Sequence, residues 1–90
     1  MKITFDIVKQ QKTLLERGID FNDAPKVFDR LHYTKPDNRF DYGEKRFITF
    51  GFLDDRFTAV VWTKRRECHH IISMRKANER EKKEYKVNLD

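Results

Sequence analysis

Apolar and polar residues alternate over three neighbouring segments in the second half of the chain, at residues 45–53, 56–64 and 68–74. Each segment is rich in β-branched and aromatic residues, so we predict that all three are β-strands. The connections at residues 54–55 and 64–67 are short, which predicts that the strands run antiparallel as a meander. A fourth strand is predicted at residues 2–6, where Ile3 and Phe5 alternate with polar residues.

The last predicted strand leads directly into positive charge. Strand alternation puts every second residue on one face, and that face would hold Cys68, His70, Ile72 and Met74. Arg75 and Lys76 follow at the end of the strand. A rigid element would therefore carry two fixed cations to the rim of the sheet, which suits phosphate binding better than a mobile tail does.

The first predicted helix covers residues 7–17. Asp6 is a suitable N-cap, and Gly18 is a natural stop. Between them, a stripe of helical spacing contains Ile7, Leu14 and Leu15. This pattern is typical of an amphipathic helix.

A second helix is predicted from Asn22, which would cap it, to about residue 30, with Pro25 in the first turn. Residues 31–44 then contain proline, glycine and several acids, so we predict a long loop there. A third helix is predicted after Asn78, because Glu81 follows at the spacing of a capping box. The order β-α-α-β-β-β-α predicts a single α+β domain over residues 1–90, with a small, mostly antiparallel sheet and the helices on one face.

Composition limits the classes of function. The chain has 90 residues, a net charge of +5 and a pI near 9.5. A basic domain favours a nucleic acid, an acidic protein or an anionic surface as partner, although such a charge also serves solubility alone. No apolar run is long enough to span a membrane, and the lone Cys68 fits a reducing compartment. We therefore expect a cytoplasmic protein.

The basic charge is local. The stretch from residue 56 to residue 76 contains one acid, Glu67, and six fixed cations, which are Arg56, Lys64, Arg65, Arg66, Arg75 and Lys76. Its net charge of +5 equals that of the whole chain. Arginine in this setting binds phosphate through two parallel hydrogen bonds. An exposed aromatic side chain on a neighbouring strand would add a surface on which an unpaired base stacks; the candidates are Phe47, Phe50, Phe52 and Trp62.

The two neighbouring histidines, His69 and His70, would point to opposite faces of a strand and so cannot share a metal ion. No other spacing in the chain is typical of a metal site, and we expect no cofactor. His70 is either a proton carrier or a hydrogen-bonded structural residue. Metal-free RNA cleavage would suit these residue types, because the RNA 2′-hydroxyl supplies the nucleophile and arginines can stabilise the added charge.

Segments spread over nearly the whole chain carry a family resemblance: KITFD, GIDFNDAPKVFD, DYGEKRFITFG, VVWTKRR, IISMRKA and NEREKKEY. In this order and spacing they resemble the BrnT family of toxins from bacterial type II toxin–antitoxin pairs. The resemblance implies a RelE-like fold and a ribonuclease that stops translation. It also implies a BrnA-type antitoxin that binds operator DNA, in a complex expected to hold two toxins and two antitoxins.

The positions that match the family pattern are Arg46, Arg65, Arg75, Lys76, Arg80, Glu81 and Tyr85. We predict that Arg65, His70 and Arg75 are catalytic, with His70 carrying a proton. The predicted substrate-binding residues are Arg46, Lys64, Arg66, Lys76, Arg80 and Tyr85. Glu81 fits a helix cap better than a base, and Arg75 has a structural alternative, which is to close the last helix onto the sheet.

Two departures from the family pattern leave another function open. Family members usually have Arg where this chain has His70, and Ala where it has Met74. The chain is therefore either a ribonuclease or a non-catalytic module that acts with its antitoxin in operator binding. A third alternative, a toxin that poisons a protein such as DNA gyrase, would leave messenger RNA intact.

Overall fold

The computed structural model describes residues 1–89 and contains five strands and three helices. In chain order they are β1 (Ile3–Phe5), α1 (Ile7–Arg17), α2 (Ala24–Phe28), β2 (His32–Pro36), β3 (Arg46–Leu53), β4 (Arg56–Arg65), β5 (Cys68–Lys76) and α3 (Glu79–Tyr85). Short 3₁₀ turns precede α2 at Phe21–Asp23 and follow α3 at Lys86–Asn88. None of these helices is long and apolar enough to cross a membrane.

All five strands form one mixed sheet in the order β1-β5-β4-β3-β2. β2, β3, β4 and β5 pair antiparallel, and β1 pairs parallel with β5. The α+β class and the antiparallel meander are confirmed, but the sheet is larger than predicted. The additional strand, β2, lies inside the predicted loop at 31–44. Four of its five residues are exposed, so this edge strand lacks the apolar alternation that marks a strand in sequence.

The helices do not gather on one face, so that prediction is wrong. α2 packs against one face through Val27, beside Leu53, Val60 and Trp62. The opposite face holds a second apolar cluster, on which the end of the chain packs through Tyr85 and Leu89. The strand residues of that cluster are Ile48, Phe50, Phe57, Ala59 and Val61. The central strands β3 and β4 are apolar on both faces, and each face therefore needs its own cover.

The helix α1 lies along the edge of β5 rather than over a face. β1 pairs only with residues 69–71, which leaves the rest of that edge to α1. Arg17 donates from Nη1 to the backbone oxygen of Met74 at 2.8 Å, and Gln10 is buried. An open strand edge presents polar backbone groups, so the polar side of α1 turns inward. The predicted apolar stripe faces solvent instead, and Leu15 is 88% exposed.

Local capping signals match the structure closely. Asp6 accepts from the backbone nitrogen of Val8 at 2.9 Å, and Gly18 ends α1 with a left-handed φ of 66°. The second helix differs from its prediction: Asp20 rather than Asn22 provides the cap, accepting from the Asn22 nitrogen at 2.9 Å, and it caps the 3₁₀ turn that precedes α2.

A β-bulge in β5 changes which residues share a face. Val61 pairs with Ser73, but the next residue of β4, Trp62, pairs with Ile71, so Ile72 is the extra residue. Met74 consequently joins Ile71 in the core on the α2 side, whereas alternation had predicted it beside His70. The same shift brings His70 and Arg75 to one face, although they are five positions apart and would face opposite ways on a regular strand.

Candidate nucleic-acid interface and active site

The face of the sheet that α3 partly covers carries most of the predicted site residues, in two groups. We call the first the hairpin cluster; it lies near the β4–β5 connection and consists of Glu44, Arg46, Arg65 and His70. We call the second the helix cavity; it lies between α3, β2 and the end of β5 and contains Lys35, Arg75, Arg80, Glu81 and Tyr85. Strand register assigns both groups to the same face.

The hairpin cluster is organised by one carboxylate. Glu44 lies 3.3 Å from Arg46 Nε and 3.3 Å from Arg65 Nη2. Hydrogen bonds from Arg65 and then Arg46 lower the pKa of the Glu44 carboxyl. The Arg46 guanidinium also lies over the ring of Tyr42, 4.0 Å from its centre. Two cations share one acid, so the cluster keeps an excess positive charge near the surface.

The imidazole of His70 belongs to this cluster. Its Nδ1 lies 2.8 Å from the hydroxyl of Thr4 on β1. Burial lowers the pKa of His70, and the positive charge of Arg65 lowers it further. Because an ordinary histidine has a pKa near 6.5, His70 is mostly neutral at pH 7 and adds no fixed charge for phosphate.

The neighbouring histidine, His69, lies on the opposite face, as predicted. Its ring stacks on Trp62 at 4.2 Å between centres and meets Phe28 edge-on at 5.2 Å. Burial lowers the pKa of His69, which favours a neutral ring in this aromatic setting. His69 is therefore part of the core packing and has no access to the cationic face.

The helix cavity has a volume of about 460 Å³, and a partly buried ion pair forms one wall. Arg75 donates to both carboxylate oxygens of Glu81, at 2.7 and 2.9 Å. Glu81 also accepts from the backbone nitrogen of Asn78 at 2.9 Å, and the Asn78 side chain accepts from the Glu81 nitrogen at 2.8 Å. This is the predicted capping box, and it fixes the start of α3 against β5. The hydrogen bonds from Arg75 hold the pKa of Glu81 below its ordinary value.

A lysine that the sequence did not single out completes the cavity. Lys35 Nζ donates to the hydroxyl of Tyr85 at 2.8 Å, and this hydrogen bond raises the pKa of Lys35. The ring of Tyr85 is stacked between Tyr33, at 5.2 Å, and Phe50, at 4.4 Å. Tyr33 and Lys35 are two positions apart on β2, so their side chains lie on the same face of the sheet. The sequence shows this only once residues 32–36 are known to form a strand.

The cavity retains positive charge that no carboxylate neutralises. Its lining includes the cations Lys35, Arg39, Arg75 and Arg80 and the carboxylates Asp37 and Glu81. Asp37 is held by Arg39 at 2.7 and 2.8 Å, just as Glu81 is held by Arg75. Lys35 and Arg80 have no carboxylate partner in an ion pair among the described residues. The cavity is thus suited to an anion.

The predicted catalytic residues do not converge on one point. Arg65 and His70 lie together in the hairpin cluster, but Arg75 lies in the helix cavity. Five strand positions separate His70 from Arg75, a distance of roughly 16 Å along the backbone at about 3.3 Å per residue. The two side chains therefore belong to different groups along the strand. A second cavity of about 590 Å³ adjoins the first at Pro36, Asp37 and Asn38 and is lined further along by Glu44 and Arg46. It connects the two groups.

Three of the predicted substrate-binding cations lie outside both groups. Register places Lys64 opposite His69 and Lys76 opposite Thr58, on the α2 side of the sheet. Arg66 lies in the tight turn before β5, where its backbone is left-handed with a φ of 55°. The remaining predictions, Arg46, Arg80 and Tyr85, do lie in the two groups. Within residues 1–89, no group of three or more His, Cys, Asp or Glu side chains could hold a metal ion.

Comparison with known proteins gives one family. A family model described as the ribonuclease toxin BrnT of a type II toxin–antitoxin system matches residues 5–81. No curated protein matches the chain. The match covers β2 to β5, the last residue of β1, both groups of site residues except Tyr85, and the first residues of α3.

Proposed function

Because the chain belongs to the BrnT family of ribonuclease toxins from type II toxin–antitoxin systems, we propose that it cleaves RNA without a metal ion and thereby inhibits translation. The proposal also includes a RelE-like fold and a cytoplasmic location. The observation that carries the proposal is the helix cavity, where the hydroxyl of Tyr85, bound by Lys35, lies beside Arg75 and Arg80.

The cavity binds the phosphate at which the RNA is cut. The 2′-hydroxyl oxygen attacks the phosphorus, and the bond to the 5′-oxygen breaks, which leaves a cyclic phosphate on one product. Negative charge grows on the phosphoryl oxygens during this step. Arg80 and Lys35 have no acid partner and supply charge stabilisation, and Arg75 is held rigidly enough by Glu81 to assist without reorganising.

Tyr85 donates the proton that the leaving 5′-oxygen needs. Lys35 donates to the phenol oxygen, so the phenol hydrogen must point elsewhere, and the cavity is the open direction. The ammonium group then stabilises the phenolate that remains after transfer. Neither carboxylate of the cavity is a good base, because arginines lower the pKa of both Glu81 and Asp37. The proton of the 2′-hydroxyl therefore passes to solvent.

The hairpin cluster holds the RNA strand beside the cut. Arg46 and Arg65 project from the same face as Arg75, and they bind phosphates beside the reacting one. This assignment changes three of our predictions from sequence: Arg65 becomes a binding residue, His70 loses its catalytic role, and Tyr85 becomes catalytic.

The direct test is cleavage of a labelled single-stranded RNA by the purified chain in EDTA. We expect cutting to continue in EDTA, to leave a cyclic phosphate, and to stop at a position whose 2′-hydroxyl is replaced by hydrogen. Arg75→Ala should lower the rate by about two orders of magnitude. Arg30→Ala, at an exposed arginine outside the site, controls for the loss of charge. Metal-dependent cutting, or cutting of the deoxy substrate, would contradict the mechanism.

The antitoxin is the protein partner. We propose a BrnA-type antitoxin, in a complex of two toxins and two antitoxins that contacts operator DNA through the antitoxin. The exposed side of α1 supports a protein partner, because Ile7, Val8 and Leu15 are 58%, 69% and 88% exposed on one short helix. Covering such a surface would stabilise the toxin.

That same surface favours one alternative function, a binding module without catalysis. The apolar side of α1 contains none of the proposed catalytic residues, so antitoxin binding and operator repression would survive their loss. Wild-type protein that binds its antitoxin and cuts no RNA, either alone or with ribosomes, would establish this alternative.

A further inference from the structure

An aromatic stack ends in the open beside the helix cavity. The rings of Tyr33 and Tyr85 are nearly parallel, at 18° and 5.2 Å, and those of Tyr85 and Phe50 are equally parallel at 4.4 Å. Phe50 is fully buried, whereas Tyr33 is 43% exposed. No further ring among the described residues continues the stack beyond Tyr33. One end of the column is therefore anchored in the core, and the other is presented to solvent.

The sheet explains why Tyr33 occupies this position. Tyr33 pairs with Phe50 across β2 and β3, so both side chains rise from the same face, and the α3 residue Tyr85 inserts between their rings. β2 is an edge strand, which leaves Tyr33 at the border of the covered region. Two residues further along the same face, Lys35 binds the Tyr85 hydroxyl at 2.8 Å. The exposed ring thus lies next to the cations that we assign to the scissile phosphate.

The aromatic residues that sequence alone favoured for stacking are less suitable. Phe50 and Trp62 are buried, Phe47 stacks on Trp62 at 4.8 Å, and Phe52 packs at a tilt of 59° against Phe57. Phe40 is more exposed, at 71%, but it meets Tyr42 edge-on and so belongs to no stack. Among the residues that the structure describes, only Tyr33 combines an exposed ring, a parallel neighbour that fixes its orientation, and adjacency to the cavity.

We propose that Tyr33 is a nucleobase-binding subsite, on which the base of a nucleotide next to the scissile phosphate stacks. The proposal rests on the ribonuclease function proposed above and adds the class of substrate. A base lies flat on a ring only when it is free of its own helix, so the substrate is single-stranded RNA or an unpaired loop. Stacking reads the π-face that all bases share, and the subsite therefore selects for unpaired structure more than for base identity.

The experiment uses a short 2′-O-methyl oligonucleotide, which the proposed mechanism cannot cut because the nucleophile is blocked. A 2-aminopurine base is placed at each position in turn, since its fluorescence falls when it stacks. We expect the wild-type chain to quench the fluorescence of 2-aminopurine at one position. We expect no quenching when the probe is in a duplex. Tyr33→Leu keeps an apolar cover on Tyr85 but has no flat face, so it should abolish the quench and weaken binding about tenfold.

Two further variants separate a stacking role from a loss of folding. Tyr33→Phe retains the ring and should restore the quench. Leu31→Ala removes another exposed apolar side chain, which lies outside both cavities, and should have no effect. Thermal unfolding of each variant checks that the chain is folded. If Tyr33→Leu binds and quenches as the wild type does, the subsite is wrong while the ribonuclease function stands. If the wild-type chain binds the probe without any quench, the subsite is also wrong. Failure of natural RNA to be cut, measured separately, would instead count against the proposed function.

Discussion

The hairpin cluster and the helix cavity are built from the same parts but differ in rigidity. Each has a glutamate that is bound by arginine on the same face of the sheet. In the hairpin cluster, Glu44 is divided between two arginines at 3.3 Å. In the helix cavity, Glu81 is bound twice by Arg75, at 2.7 and 2.9 Å, and also caps α3. The Glu44 side chain is 29% exposed and that of Glu81 is 9% exposed.

This difference indicates a division of labour. Arg65, whose side chain is 51% exposed, can leave its acid for a phosphate at little cost, and so it suits the binding of a mobile strand. The pair of Arg75 and the buried Glu81 is also part of a helix cap, and it cannot move without loosening α3. Such a pair suits a wall of the reaction site, where a fixed charge distribution is more useful than an adaptable one.

The largest expected contrast between the two glutamates is in stability. Glu81→Ala removes the ion pair, leaves Arg75 partly buried without its acid and breaks the capping box. We expect a loss of about 2–3 kcal/mol in the free energy of unfolding, below the value for a fully buried pair because Arg75 is partly exposed. Glu44→Ala should cause no measurable change. Urea unfolding of both variants checks this, and equal losses would remove the proposed difference in rigidity.

The pH dependence of stability sharpens the same contrast. The pKa of Glu81 is lowered in the folded state by Arg75. The contribution of Glu81 to the free energy of unfolding is therefore fully present above its unfolded pKa of about 4.3. It is lost as the pH falls through the lower pKa of the folded state. Between neutral pH and pH values below about 4, the wild type should lose more stability than Glu81→Gln. If the free energy of unfolding changes with pH in the same way for both proteins, the ion pair does not have this effect.

A smaller effect tests the binding role of the hairpin cluster. Arg65 and Lys64 are neighbours on β4 but lie on opposite faces. Arg65→Ala should reduce the salt dependence of RNA binding by about 0.7 in the slope of log affinity against log salt, the value for one phosphate contact. Lys64→Ala is the matched control and should leave the slope unchanged. A change as large in Lys64→Ala would mean that general charge, and not this face, binds the RNA.

Local sequence signals were enough for much of the fold. Asp6, Gly18 and the Asn78–Glu81 box mark the ends of helices through hydrogen bonds within a few residues, so they are readable without tertiary structure. Strands β3 and β4 have strong β-propensity and short turns. Strand β2 was not predicted because an edge strand needs little apolar surface. The orientation of α1 was not predicted because its polar side, and not its apolar stripe, meets the sheet.

The candidate site was predictable residue by residue but not as an arrangement. The basic character of the region and the choice of Arg75 as a candidate follow from composition and family resemblance. The bulge at Ile72 does not, and it decides that His70 and Arg75 share a face. Lys35 and Tyr33 could not be selected from the sequence either. Their roles depend on contacts with Tyr85, which lies 50 residues after Lys35 in the sequence. Such long-range contacts leave no periodic signal in the sequence.

The central claim is that proton transfer takes place in the helix cavity and not in the hairpin cluster. Single-turnover cleavage at saturating RNA tests it, with Tyr85→Phe and His70→Gln compared with the wild type. We expect the rate to fall about 100-fold in Tyr85→Phe, which loses the proton donor but keeps the ring in its stack, and by no more than about threefold in His70→Gln. The reverse result, a large loss in His70→Gln with little change in Tyr85→Phe, would place the chemistry in the hairpin cluster and contradict the account.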